Sequence, residues 1–360
     1  MPPKNLYFTK ALIFSFGLKL ALVLIGNLLP HGWNGWEHIF DVLARNDSGW
    51  YHQIARDWYP TQPPSAGEQT AFPFFPLYPL LLSGFLKLTG HYIYGALILH
   101  VILTFIWIYV LFLYLRSKGF SDKQIFIFSV FYQCFPWAYF FHAFYSELLF
   151  SSLLLAALFA IESKKVSLLF FSTMLMALCR PTGLMMAAGM AFIIAEYGGW
   201  IKVFSNKLRF KQLLALSGAL FGVLLWSIYL HYYCGDALAF SHGQAAWGRA
   251  YKWPWEAFFP SGMWDVQLLS VYVIILLMLS FFVLRKATKG EAIFTGINLL
   301  FPLITGAVTS YYRFFLVIPQ IFEKAFALIE ARWQIVSAVL LILNLVTFWY
   351  WVSYSGWLSF

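Results

Sequence analysis

The run ALIFSFGLKLALVLIGNLL, Ala11 to Leu29, decides the fold class. As a helix rising about 1.5 Å per residue it is long enough to cross the ~30 Å hydrocarbon core of a bilayer. It follows Lys4 and Lys10, as the apolar part of a signal sequence would. No small-residue cleavage site comes after it, so it reads as a retained first span. That reading puts the N-terminus on the cytoplasmic side and the stretch from His31 to about Phe75 outside.

Similar runs recur at 212–232, 265–284, 291–309, 313–329 and 334–354, with no long polar domain between them. The chain of 360 residues is 61% hydrophobic and 11% charged, with a mean hydropathy of +0.72. In a soluble domain roughly a quarter of the residues are charged. The expectation is an all-α, polytopic membrane protein folded as a single domain over 1–360. Between about 76 and 196 the apolar runs are shorter, broken by Pro136, by Arg180-Pro181 and at Gly90-His91. There residues 76–115 must make an odd number of crossings, which a broken or re-entrant helix near Leu77 to Leu88 would satisfy.

The formal net charge of +9 is carried in part by short clusters between apolar runs: Arg116 to Lys118, Lys164-Lys165, Lys202 to Lys211 and Arg285-Lys286. This is the positive-inside pattern of cytoplasmic loops rather than a nucleic-acid surface. The non-cytoplasmic segments are then the loop 31–75, the loop 233–264, and turns around 136–147, 179–182 and 310–313. Cys134, Cys179 and Cys234 make no CxxC or zinc spacing and read as packing residues.

Most of the unusual polar residues fall in those outer segments. Asp47 opens a stretch in which Trp50, Tyr51, Ile54 and Trp58 share a helical face, so the segment is expected to lie in the membrane interface on aromatic anchors. Asp47 reads either as a helix N-cap, worth ~1 kcal/mol, or as a carboxylate placed to meet an incoming hydroxyl. His52 follows with no metal spacing around it. The prolines of Phe72-Pro73-Phe74-Phe75-Pro76-Leu77-Tyr78-Pro79 set an extended entry into the next helix. Ser146 and Glu147 suit a cap and first-turn acid, yet an ionisable group beside an apolar span is also a functional candidate. Arg180 and Arg313 sit at apolar-to-polar junctions, where they either snorkel to headgroups or grip a lipid phosphate bidentately. Asp236 stands in a Gly-Asp turn, followed by Gln244, Trp247 and Arg249, the first two an amide and an indole of the kind that contact sugars.

In this order the segments resemble the PIG-V family, the enzymes that add the second mannose to the glycosylphosphatidylinositol anchor, and its shorter prokaryotic relatives in the GT-C superfamily. The matching pieces are Asp47-Ser48-Gly49-Trp50-Tyr51 with Ile54-Ala55, Phe74-Phe75-Pro76-Leu77-Tyr78-Pro79-Leu80, and Tyr145-Ser146-Glu147-Leu148-Leu149-Phe150. Arg180-Pro181-Thr182-Gly183, Gly235-Asp236-Ala237-Leu238-Ala239-Phe240 with Gln244 and Trp247, and Ser310-Tyr311-Tyr312-Arg313-Phe314 complete the set. The resemblance implies a GT-C-like bundle of about 10–12 transmembrane helices with an interfacial helix in the first outer loop. It implies a glycosyltransferase, specifically a mannosyltransferase, using a polyprenyl-phosphate sugar donor at the outer face of a prokaryotic cell membrane. Asp47 becomes the general base of an inverting transfer, with His52, Glu147, Arg180, Asp236, Gln244, Trp247 and Arg313 as substrate-binding residues. The expected partners are the lipid-linked donor, a glycan or glycolipid acceptor and membrane lipids, with no nucleic acid. Neither a metal nor a further cofactor is expected, because a lipid monophosphate leaving group can be stabilised by arginine and no acidic cluster suits a divalent cation. The family more often has Trp where Asn46 stands and Pro where Ala237 stands, departures that bear on the acceptor. The alternative from another class is a transporter or lipid-linked sugar flippase.

Overall fold

The computed structural model describes residues 6–28, 38–65, 67–258, 264–305, 308 and 310–354, and among these every regular element is helical. In chain order the α-helices are α1 (Leu6–Leu28), α2 (Asp47–Asp57), α3 (Leu77–Thr89), α4 (Tyr92–Ser117), α5 (Asp122–Cys134), α6 (Glu147–Glu162), α7 (Val166–Cys179) and α8 (Thr182–Gly198). They continue with α9 (Lys207–Ala215), α10 (Ser217–Cys234), α11 (Ala239–His242), α12 (Trp264–Leu284), α13 (Lys289–Leu300), α14 (Tyr311–Leu316), α15 (Pro319–Ile329) and α16 (Trp333–Tyr354).

Among the described residues four stretches are long and apolar enough to cross a membrane: Leu6–Leu28, Tyr92–Ser117, Lys207–Cys234 and Pro319–Ser353. Their outward faces suit a lipid solvent. On α10, Leu220, Leu224 and Ile228 repeat at helical spacing and are 51%, 48% and 55% exposed, while Gly218, Gly222 and Trp226 turn inward. Polar side chains such as Asn344, Thr295 and Ser280 are buried instead.

Two expected spans are broken. The run 291–309 is not one helix: α13 ends at Leu300 and a 3₁₀ turn over Phe301–Thr305 follows, because Pro302 supplies no N–H to continue the ladder. Residues 306, 307 and 309 of that run lie outside the described residues. The run 313–329 splits into α14 and α15, with Pro319 at the first position of the second helix, where its missing N–H costs nothing. In 76–115, α3 has 13 residues, ~20 Å of helix and shorter than the hydrocarbon core, and α4 has 26.

The chain divides into two compact units, one of Met1–Trp58, Tyr78–Leu155 and Phe326–Phe360, the other of Tyr59–Leu77 and Ala156–Ala325. In the first unit α1, α4, α5 and α16 pack together. Asn344 of α16, fully buried, donates to the Gln133 carbonyl at 3.1 Å and accepts from the Tyr139 N–H at 3.3 Å, tying α16 to the end of α5 and the turn after it. Such bonds are the usual polar glue between apolar helices, where dispersion rather than water exclusion drives packing.

In the second unit the pairs α7/α10 and α8/α13 dominate. The α7/α10 contact runs through Gly218-Ala219-Leu220-Phe221-Gly222, two glycines four apart on one face. A Cβ at Gly222 would meet the Met174 carbonyl oxygen at 2.5 Å, and one at Gly218 would collide with the Phe170 carbonyl. Glu196 of α8 caps α13 across the pair, its carboxylate accepting the Lys289 and Gly290 N–H groups at 3.1 and 2.8 Å. All three cysteines are buried thiols.

Gly222→Val should therefore force α10 away from α7, with a loss of about 1–3 kcal/mol or more. The expected readout is a lower thermal midpoint in detergent, with α-helical circular dichroism retained below it. An unchanged midpoint would mean that the close approach is not a stabilising contact.

Candidate functional site

Within the first unit, α2 begins on an unusual backbone. Asn46 has φ 49°, in the region few non-glycine residues occupy. The strain is held by Tyr145, whose hydroxyl donates to the Arg45 carbonyl at 2.9 Å and accepts from the Asp47 N–H at 3.2 Å, bracketing the strained residue. Asp47 is thus the first residue of the helix and not its cap, with Asn46 in the cap position making no side-chain cap bond. Asp47 is half-buried. The Tyr92 hydroxyl donates to the Ser48 carbonyl at 2.9 Å, adding a second anchor from α4.

The face of α2 expected to meet the membrane is largely turned into the unit. Tyr51 and Ile54 are buried, at 4% and 0% exposure, and the Tyr51 hydroxyl bonds Ser146 Oγ at 2.8 Å. Trp50 is half-buried, and Trp58, with φ 67°, lies just past the helix end. These bonds bring Asp47 beside the Tyr145-Ser146-Glu147 segment. Glu147 itself is fully buried in the first turn of α6. His52 is half-buried and stacks on Tyr92, ring centroids 4.1 Å apart at 17°. Its burial first, then the Arg56 guanidinium, hold the ring below the usual histidine value of 6.5, with His91 adding to that and Asp57 opposing it.

Within the second unit Arg180 sits at the α7–α8 corner, half-buried, with its guanidinium 5.4 Å from the Phe314 ring centre. The corner explains the Arg-Pro-Thr-Gly motif. A Cβ at Gly183 would lie 2.6 Å from the Met176 carbonyl, so only glycine lets α8 start against the end of α7. Arg249 approaches the same Phe314 ring, at 6.0 Å, and donates to Thr305 Oγ1 at 3.0 Å. Arg313, next in sequence to Phe314, is 6% exposed. Two guanidinium groups thus converge on one aromatic ring whose neighbour is a third arginine.

The loop after α10 feeds into this cluster. Arg249 N–H donates to the Gln244 carbonyl at 3.2 Å, and Trp247 meets Phe74 edge-on at 5.5 Å. Asp236 is occupied with the fold of its own loop. One of its oxygens accepts the Leu238 N–H at 2.9 Å, and the other pairs with His242 Nδ1 at 2.7 Å. Gln244, Trp247 and Arg180 are therefore linked through Arg249 and Phe314 or the adjoining turn, with Asp236 at the start of the same loop. Arg249, which the sequence places in this loop without a role, takes one from its contacts with Phe314 and Thr305.

A second polar group escapes the sequence reading altogether. Lys19 of α1, His100 of α4 and His142 are 5%, 0% and 2% exposed inside the first unit and act on one another electrostatically. Among the described residues Lys19 Nζ, His100 Nδ1 and both His142 ring nitrogens find no hydrogen-bond partner, while His100 Nε2 bonds the Tyr78 hydroxyl at 2.9 Å. The available signal was ionisable side chains in the middle of apolar runs. No family model and no curated protein matches this chain.

Tyr145→Phe removes the hydroxyl that holds Asp47 and leaves an Arg45 carbonyl and an Asp47 N–H to find other partners, a loss of about 1–3 kcal/mol. Amide exchange at residues 45–48, measured by mass spectrometry, is expected to accelerate while α4 and α5 stay protected. For His52, whose folded-state value lies below 6.5, the unfolded chain binds the proton first as pH falls. Its stabilisation is complete above pH 6.5 and is lost as pH drops through the folded value. His52→Phe, which keeps the stack on Tyr92, should flatten the melting temperature against pH in that range.

Proposed function

We propose that this chain is a membrane glycosyltransferase of the GT-C type, moving a sugar, mannose being what the family resemblance implies, from a polyprenyl-phosphate carrier to a glycan or glycolipid acceptor at the outer face. The observation that carries the reading is the convergence of Arg180 and Arg249 on Phe314, beside the buried Arg313. Guanidinium groups gathered at one aromatic ring of an apolar, helical unit suit an anion that arrives from the bilayer. A lipid phosphate is such an anion, matched to the guanidinium fork. The order of motifs that resembles the PIG-V family supports the same assignment.

In the proposed reaction the Asp47 carboxylate takes the proton of the acceptor hydroxyl as that oxygen forms a bond to the anomeric carbon. The bond from that carbon to the phosphate oxygen breaks on the opposite side, and the electron pair leaves with the lipid phosphate. The product is inverted, and the proton passes from Asp47 to water. The proposal requires no metal. Tyr145 and Tyr51 are positioning residues: they hold α2 to the Tyr145-Ser146 segment and touch no reacting atom.

One observation favours a second reading, a transporter or flippase for lipid-linked sugar: the buried Lys19 and His100 inside the apolar helices α1 and α4, with buried His142 in the turn between α5 and α6.

The test incubates the purified protein with polyprenyl-phosphate mannose and a panel of glycan and glycolipid acceptors, and in parallel measures lipid movement in proteoliposomes. Asp47→Asn should cut transfer by about 10²-fold or more with donor binding retained. Arg180→Ala and Arg249→Ala should each weaken donor binding by about tenfold. Full transfer by Asp47→Asn sinks the base assignment. Failure of the wild type to bind any polyprenyl-phosphate sugar sinks the transferase, and lipid movement lost on Lys19→Met without any transfer activity establishes the transporter instead.

A further inference from the structure

Two residues beyond Arg249, the second unit carries a cleft whose residues have no part in the chemical steps above. Its volume is about 640 Å³, within the ~300–1,000 Å³ of small-molecule sites, and it is lined by Tyr251, Lys252, Trp253, Pro254, Glu256 and Ile304. The wall is held in place by main-chain bonds: Ala250 N–H donates to the Thr305 carbonyl at 3.2 Å and Lys252 N–H to the Ile304 carbonyl at 2.9 Å. A local turn follows, with Trp253 N–H donating to Glu256 Oε1 at 3.3 Å and Glu256 N–H to the Trp253 carbonyl at 2.9 Å.

The lining has a particular chemistry. Tyr251 and Trp253 are 87% and 65% exposed, and the Trp253 indole is stacked on Trp255 at 4.9 Å and 9°. The stack braces Trp253 as a flat, electron-rich platform. Lys252 and Glu256 add one charge of each sign to the same cleft, with donor and acceptor capacity for hydroxyl groups. A flat indole face beside convergent polar groups matches a pyranose ring, which has an apolar C–H face and a rim of hydroxyls. Anchoring in a membrane interface uses the same aromatic residues but does not require a cleft lined by charges of both signs.

We propose that this cleft is a carbohydrate site that seats a pyranose ring against Trp253. Which sugar it holds, the one carried by the lipid phosphate or one of the acceptor glycan, rests on the transferase reading. The contact to the indole does not. Arg249 bonds Thr305, whose neighbour Ile304 lines the cleft, and stands two residues before Tyr251, so this arginine and the sugar platform share one short segment.

The experiment uses the full chain in nanodiscs and saturation-transfer NMR. Mannotriose and maltotriose serve as free-glycan probes, and short-chain polyprenyl-phosphate mannose is compared with polyprenyl phosphate alone as the donor probe. The expected result is saturable binding of at least one free trisaccharide, or tighter binding of the lipid-linked mannose than of the bare lipid phosphate. Trp253→Ala should weaken that sugar contribution about tenfold, and Trp255→Ala should weaken it less. Glu256→Gln, which keeps the turn, should lower it several-fold, with elution profile and melting temperature unchanged in every variant. The proposal is overturned by sugar binding that Trp253→Ala leaves intact, by no sugar contribution in any arm, or by quenching of Trp253 by brominated lipids that marks it as a bilayer anchor. Trp253-dependent sugar binding in a protein that transfers no sugar removes the transferase and leaves the cleft. Transfer by Trp253→Ala with wild-type KM for donor and acceptor removes the cleft and leaves the transferase.

Discussion

One phenol hydroxyl bridges the two sides of a strained residue. Tyr145 Oη lies between the Arg45 carbonyl and the Asp47 N–H, and without it the left-handed turn at Asn46 would have to supply its own hydrogen bonds. Those main-chain groups are part-buried in an apolar bundle, where an unmet polar group is costly. Tyr51 repeats the device one turn later with Ser146, and Tyr92 secures Ser48 from α4. The start of α2 is thus defined by side chains from distant parts of the chain. Asp47 inherits its position from them.

The remaining architecture follows from the same scarcity of polar partners. Helices approach closely where glycine permits, as at Gly218 and Gly222 against α7, and are fastened where a single amide or carboxylate reaches across, as with Asn344 and Glu196. Lys19, His100 and His142 depart from this pattern. Groups that costly to bury are not retained in an apolar interior for packing alone, which is why they carry weight in the transport reading.

Helical class and the stretches at 11–29, 212–232 and 334–354 were legible because twenty apolar residues admit few other solutions. By contrast α4, at 26 residues the longest of the described helices, lies in the part of the chain that reads as shorter, broken runs. Summed hydropathy is blind to a single proline, however, so the breaks at Pro302 and Pro319 vanish inside runs that look continuous. For the site, Asp47, Arg180 and Arg313 stood out as charges at the ends of apolar runs. The direction of the α2 face did not, because tyrosine has an apolar body and a polar tip and suits a headgroup layer and a buried hydrogen bond equally well. Arg249 stands in the loop with Gln244 and Trp247, yet its role is not legible there for a related reason. Its significance comes from Phe314, a partner 65 positions away that no local pattern announces. Asp236 shows the converse: a residue conspicuous in sequence whose two oxygens are engaged in shaping its own turn.

The three cysteines are buried thiols, Cys134 in the first unit and Cys179 and Cys234 in the second. A folded molecule therefore shields every thiol it has from a bulky alkylating reagent, and each becomes reactive only when its surroundings open. The chain carries its own denaturation clock: the order in which the thiols are modified during heating or in denaturant ranks the two units by stability. No label needs to be engineered into either.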